Sequence, residues 1–194
     1  MVKVSTKYTR VKEIVKEPFE EIDSKGIKVG VREFVVPVPQ KTYYHGAGWF
    51  TLKQEKAYDE FSKALEDNAT LDSENSYVPL KHQYKGIRVD EHPEYLHDKE
   101  WAMATFNGDL VGIKTSDIAM FCYLPTEEDI GCGMEIGYAK ALGKYVVLVI
   151  PDEEYGEPIN LMSFGGADLV LKMSELANFD FNKPEFNFYN GAIY

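Results

Sequence analysis

The stretch that most constrains the fold of this chain runs from Asp117 to Asp152. Asp117 to Tyr123 is an apolar run that predicts a buried strand, and Leu124 to Glu128 is an acidic loop. Asp129-Ile130-Gly131-Cys132-Gly133-Met134-Glu135-Ile136-Gly137-Tyr138-Ala139 then opens a helix that should run to about Leu142. After Gly143 and Lys144, a second apolar run, Tyr145 to Ile150, is stopped by Pro151 and Asp152. Strand, loop, helix and strand in this order imply a parallel sheet with a crossover helix. Ligands in such sheets bind beyond the carboxyl ends of the strands. Glu135 is expected at that end, in the first turn of the helix, with Asp129 upstream. Gly131 and Gly133 would let the backbone turn tightly and a ligand come close. Taken alone, Glu135 has an ordinary reading, because a carboxylate in a first turn complements the helix dipole. Its neighbours give it a second one.

The chain has 194 residues, enough for one domain with a sizeable core and an appendage. The net charge of −11 argues against a nucleic-acid polymer as partner. The charge is uneven: residues 1–40 hold eight Lys/Arg and six Asp/Glu, and the remainder 13 against 26. No apolar stretch is long enough to span a membrane, and the N-terminus carries no apolar signal core. The two cysteines, Cys122 and Cys132, form no Cys-x-x-Cys pair, which fits buried thiols and a reduced, cytoplasmic setting. A catalytic Cys132 is the sharper alternative, but no histidine lies near it in sequence.

Residues 1–40 read as an N-terminal extension. Val11, Ile14, Val15 and Phe19 have helical spacing interrupted by Pro18. Ser24-Lys25-Gly26 signals a turn, Ile27 to Val36 should be extended, and Pro37 and Pro39 make a stiff junction. The main domain is expected over 41–194. Thr42 to Gly46 is its first strand and Gly46-Ala47-Gly48 the turn after it. Thr51 and Gln54 match a capping box ahead of the stripe Ala57, Phe61, Ala64 and Leu65, with Asn68 near the end. Ser76 to Leu80 predicts a second strand, and Lys81 to His92 a loop. A helix from about Pro93 to Ile113 should bury Ala102, Phe106, Leu110 and Ile113, with Gly108 marking a close approach. Pro158 to Gly166 reads as a loop or short helix, Asp168 to Lys172 as a last strand. The aromatic-rich tail, Phe179 to Tyr194, should be held rather than frayed. Strands alternate with helices, so the class is α/β: a flavodoxin/Rossmann-like three-layer sandwich with a parallel central sheet.

Gly46-Ala47-Gly48 lacks the third glycine of a dinucleotide fingerprint and the Gly-Lys-Ser/Thr of a P-loop, so it reads as a tight turn. Trp49 and Phe50 beside it could stack on a flat heterocycle or pack under the helix. His45, His82, His92 and His97 form no zinc pattern, and no metal or cofactor is expected. Asp109, Asp129 and Glu135 are left near the ligand end. Paired carboxylates suit glycosyl transfer, one trapping the anomeric carbon while another manages the leaving group's proton.

Longer segments carry a resemblance. They are Gly46-Ala47-Gly48-Trp49-Phe50, Glu74-Asn75-Ser76-Tyr77-Val78-Pro79-Leu80, the run from Gln83 to Tyr95, Asp109-Leu110, Gly133 to Ala139, Pro158-Ile159-Asn160-Leu161-Met162-Ser163, and the terminal Tyr194. In order and spacing the chain from about Lys41 onward resembles the nucleoside 2-deoxyribosyltransferase family, in its broad-specificity purine-and-pyrimidine type. The resemblance implies 2′-deoxynucleosides and free purine or pyrimidine bases as substrates, exchanged in a ping-pong scheme. It implies Glu135 as the nucleophile that forms a covalent deoxyribosyl ester, Tyr44 as the group orienting it, and Asp109 as the handler of the base's proton. Asp129, Asn160 and Gln83 would line the sugar and base pocket, with Trp49, Phe50 and Met162 as apolar walls. The family assembles as a hexamer, a trimer of dimers, in which a neighbour's C-terminus, here Tyr194, completes each site. Three departures stand out: residues 1–40, His45 beside Tyr44, and Phe164-Gly165-Gly166, the latter two being places where base preference could be tuned. An N-hydrolase on the same scaffold, a non-catalytic nucleotide-binding module and a flavodoxin-like redox protein are the rival readings.

Overall fold

The structure, a computed structural model, describes residues 12–194. The chain forms two compact units, Met1–Pro39 and Gln40–Tyr194.

In the first unit, β1 (Lys12–Asp23) and β2 (Gly26–Pro37) make an antiparallel ribbon. The helical spacing of Val11, Ile14, Val15 and Phe19 does not give a helix: Ile14, Val15 and Phe19 lie in β1, and Val11 falls outside the described residues. The reason is a partner strand. β-branched residues favour a pleated surface, and Pro18 is tolerated on a strand with a free edge. Ser24 and Lys25 turn the chain, and Gly26 takes the left-handed φ of 121° that closes the hairpin. Gly30 leaves room for the Phe19 ring, over which the Arg32 guanidinium sits at 4.4 Å while also pairing with Glu21. Lys16 and Glu33 pair across the ribbon at 2.9 Å. Ile14, Ile22, Ile27, Val29 and Val31, on one face by register, are exposed.

The second unit is built on four parallel strands in the order β3 (Tyr43–Gly46), β4 (Ile118–Cys122), β5 (Tyr145–Ile150) and β6 (Leu169–Lys172). Alternate side chains enter opposite faces. Tyr43, Met120, Val147 and Leu171 pack with α1 (Leu52–Asp67) and α5 (Met173–Leu176) through Phe61, Leu65 and Leu176. Tyr44, Phe121, Leu148 and Val170 pack on the other face with α2 (Lys99–Thr115), α3 (Ile130–Ala141) and α4 (Leu161–Gly166) through Ile113, Ile136 and Phe164. This is the three-layer α/β sandwich, with the sheet in the middle.

Two expected elements come out differently. Ser76 to Leu80 is not a strand. It touches β3 through a single parallel bridge, Tyr44 to Tyr77, before Pro79 turns the chain into a 3-10 turn. The bridge still puts this segment on the outer side of β3. The chain therefore goes one way from β3 and the other way to β4, which makes the carboxyl ends of β3 and β4 a switch point. The helix from Pro93 to Ile113 is also divided. Pro93–His97 is a 3-10 turn, and α2 starts afresh because the Asp98 side chain accepts from the Trp101 N–H at 3.0 Å. Its buried residues are Trp101, Gly112 and Ile113, whereas Ala102 and Phe106 are exposed and Leu110 is half-buried.

Elsewhere the local signals hold. Thr51 caps α1, accepting from Gln54 N–H at 3.2 Å, and the Gln54 side chain reaches back to the N–H of Phe50 rather than Thr51. The Asn68 amide ties the end of α1 to the carbonyls of Leu176 and Phe179. The tail is held by buried Phe181 and Tyr189, although Phe186 and Phe188 are exposed.

Candidate active site

Glu135 lies one turn deeper in α3 than its sequence context suggests. Asp129 is the N-cap, accepting from Cys132 N–H at 2.8 Å, so the first turn holds no acidic residue and Glu135 falls in the second. Dipole complementation therefore does not account for it, since that effect falls off within a turn. Gly131 and Gly133 are helical rather than turn positions. A Cβ on Gly131 would come within 2.9 Å of the Asp129 carboxylate, so that glycine protects the cap.

Around Glu135 the sheet supplies Tyr44 and α2 supplies Asp109. Burial pushes the Glu135 carboxyl up to about 7, against the Tyr44 hydroxyl, which favours its ionised form; the charges of Asp109 and Asp129 push it further up. Tyr44 is fully buried on β3, and its hydroxyl has no partner at normal hydrogen-bond geometry. It meets Glu135 in a looser approach that still couples the two groups. Asp109 is half-buried, and burial lifts it to about 6 against the Tyr77 hydroxyl and the charge of His82. Three carboxyl groups and a buried phenol thus converge at the switch point, two of the acids poised near neutral pH.

The remaining candidate residues have partners of their own. Asn160 caps α4, its side chain accepting from Met162 N–H at 2.8 Å, and its own N–H donates to the Tyr123 hydroxyl at 3.2 Å. Met162 is 79% exposed on the rim. Tyr194 is held by its backbone beside Asn160: its N–H donates to Ile159 at 3.1 Å, and its carbonyl accepts from Leu161 at 2.9 Å. Its side chain faces Glu128 and is exposed. Gln83 is buried, its side-chain oxygen accepting from Val89 N–H at 2.8 Å. Trp49 and Phe50 stack on each other at 4.6 Å and line an open cleft of about 470 Å³ with Tyr58, Leu80, Arg88 and Asp90. No member of the carboxyl cluster lines that cleft.

His45 does not face the site. Strand alternation turns it to the α1 side, where its ring lies against Tyr58 and Phe61 and its Nε2 meets Ser62 Oγ at 2.9 Å. Phe164 packs against the second core, and Gly166 gives Ile136 room, since a Cβ there would lie 2.5 Å from it. Phe164-Gly165-Gly166 is thus a place where α4 closes on α3. Cys122 and Cys132 are both buried, which pushes each thiol well up and leaves no thiolate for catalysis. Among the described residues, no group of three or more His, Cys, Asp or Glu is placed to hold a metal ion, and no helix is long and apolar enough to cross a membrane. Tyr77 and His82 were missed. Tyr77 lies within a matching segment, but only the fold turns its hydroxyl to Asp109 at 3.3 Å.

Residues 43–162 match the family model described as Nucleoside 2-deoxyribosyltransferase. The chain is 67% identical over 157 residues to a nucleoside deoxyribosyltransferase of Lactobacillus leichmannii, covering 81% of this chain and 100% of that one. It is 70% identical over 148 residues to that of Lactobacillus johnsonii, covering 76% and 99%. The nucleoside deoxyribosyltransferase of Limosilactobacillus fermentum is 32% identical over 154 residues, covering 76% and 90%. A solved structure of a 2-deoxyribosyltransferase from Bacillus psychrosaccharolyticus shares the fold with a TM-score of 0.63, at 24% identity over 76% of this chain and 98% of that one.

Proposed function

This chain belongs to the nucleoside 2-deoxyribosyltransferase family, and on that premise we propose that it transfers 2-deoxyribose between purine and pyrimidine bases in two steps through an ester on Glu135. The observation that carries this reading is the convergence of Glu135 and Asp109 around the buried Tyr44 hydroxyl.

In the first step the bond between C1′ and the base nitrogen breaks, and its electron pair leaves with the base. Asp109 delivers the proton that the departing base takes up. Positive charge builds at C1′, and the Glu135 carboxylate traps it as an ester. In the second step an incoming base attacks C1′, the ester bond breaks to restore the carboxylate, and the incoming base's proton passes to Asp109. An acid that gives a proton in one half and takes it in the other works best near neutrality, where burial sets Asp109. Tyr44 orients the Glu135 oxygens. Asp129, Asn160 and Gln83 hold the sugar and base, and Trp49, Phe50 and Met162 form the apolar rim.

The assembly belongs to the same reading: a hexamer arranged as a trimer of dimers, with Tyr194 of one copy completing the site of another. Its support is an exposed apolar rim on elements that pack together, Ile130 and Met134 of α3 with Leu161 and Met162 of α4, beside the terminus. Incubation with one 2′-deoxynucleoside and a different free base tests the activity. A new deoxynucleoside is expected. Free deoxyribose formed at the same rate with and without the acceptor would assign a hydrolase instead.

A further inference from the structure

We propose that Tyr77 is the positioning residue of Asp109: its hydroxyl, seated in a glycine notch of α2, fixes the carboxyl that serves the departing base. The inference rests on the reading of Asp109 as the proton-handling acid.

Tyr77 sits in the segment outside β3. Its N–H donates to the Tyr43 carbonyl and its carbonyl accepts from His45 N–H, both at 2.9 Å, so its backbone is locked to the sheet. Its ring stacks on Tyr44 at 5.8 Å and on His82 at 4.5 Å, with interplanar angles of 13° and 19°. Its hydroxyl donates to Asp109 Oδ1 at 3.3 Å, long for a bond between oxygens and able to tighten when a base closes the site.

The glycines of α2 give this contact its meaning. Gly108 and Gly112 flank Asp109 on the helix. A Cβ on Gly112 would fall 2.4 Å from the Tyr77 ring, and one on Gly108 3.1 Å from its hydroxyl. Glycine within a helix weakens it relative to alanine. Here both lapses clear space for the ring whose hydroxyl bonds Asp109. The groups facing Asp109 are Tyr77, His82 and, across the site, Tyr44 and Glu135. Burial favours its protonated form, while the Tyr77 hydroxyl favours the carboxylate. A carboxyl held between these influences can both give and regain a proton, as two half-reactions require.

The test uses Tyr77→Phe, which keeps the ring, its stacking and the glycine notch. The Asp109 carboxyl is followed by 13C NMR in aspartate-labelled full-length protein, its signal identified by its loss in Asp109→Asn. In Tyr77→Phe the carboxyl is expected to titrate higher by about one pH unit, the scale of a hydrogen bond to a charged group. The alkaline limb of kcat/KM for transfer should move up with it, and kcat should fall. Gly108→Ala, which crowds the same hydroxyl from the helix, should move the titration the same way. In the Asp109→Asn background, Tyr77→Phe should add no further loss. An unchanged Asp109 titration in both variants, or a fully additive loss, overturns the proposal. Undiminished transfer by Asp109→Asn would instead remove Asp109 from the chemistry, and the NMR result separates that failure from a failure of Tyr77.

Discussion

Single residues show how far alternation along one strand decides function. Tyr44 and His45 are neighbours in sequence but enter opposite layers, one toward Glu135 and the other toward α1. Nothing in so short a strand says which of the two faces the site. His45 is 3% exposed, and burial holds its imidazole down at about 4. Unfolding returns it to about 6.5, so between those values the unfolded chain binds a proton that the folded one refuses. Its contribution is therefore complete above about pH 6.5 and declines as pH falls toward 4, by up to about 3 kcal/mol. Urea unfolding at pH 7 and pH 4.5 checks this. Wild type is expected to lose more stability on acidification than His45→Phe, in which Ser62 keeps Tyr58 as a neighbour. Equal losses would mean that His45 is not held neutral.

At the scale of elements, parallel strands were legible where a short apolar run is closed by turn residues, as Tyr145 to Ile150 is by Pro151. The less legible elements are those whose form depends on a partner far along the chain. β1 reads as an interrupted helix until β2 pairs with it, and Ser76 to Leu80 reads as a strand although only Tyr77 bridges β3. The break before α2 was visible in principle: Asp98 is a strong N-cap residue, yet Pro93 upstream offers an earlier start that hid the boundary. Asp98→Ala should cost about 1 kcal/mol of stability, the ordinary value of a lost N-cap. It should leave Glu135 chemistry unchanged, because α3 is capped by Asp129. Chemical denaturation beside a transfer assay checks both parts. Of the site, the carboxyl groups were readable from position and motif together. Tyr77 was not, because its meaning comes from a glycine notch in a helix that arrives later in the chain.

At the scale of the whole molecule, the chain divides into two compact units, Met1–Pro39 and Gln40–Tyr194. The Gln40–Tyr194 unit contains the complete sheet, both cores and every residue assigned to the chemistry. We propose that residues 1–40 are an added element that catalysis does not require. A chain beginning at Lys41 is expected to fold and keep measurable transfer. If it assembles as the full chain does and is inactive, the extension belongs to the site.

Whether deoxyribose passes through Glu135 is decided by trapping the enzyme during turnover. The protein is quenched with acid while consuming a 2′-deoxynucleoside, then digested and measured by mass spectrometry. Trypsin leaves Asp117, Asp129 and Glu135 on one peptide between Lys114 and Lys140, so backbone fragmentation must locate the adduct. A deoxyribosyl group is expected on Glu135, absent from Glu135→Ala and removed when a free base is added before the quench. A deoxyribosyl group on Asp129 or on another peptide, or base exchange that persists in Glu135→Ala, would contradict it.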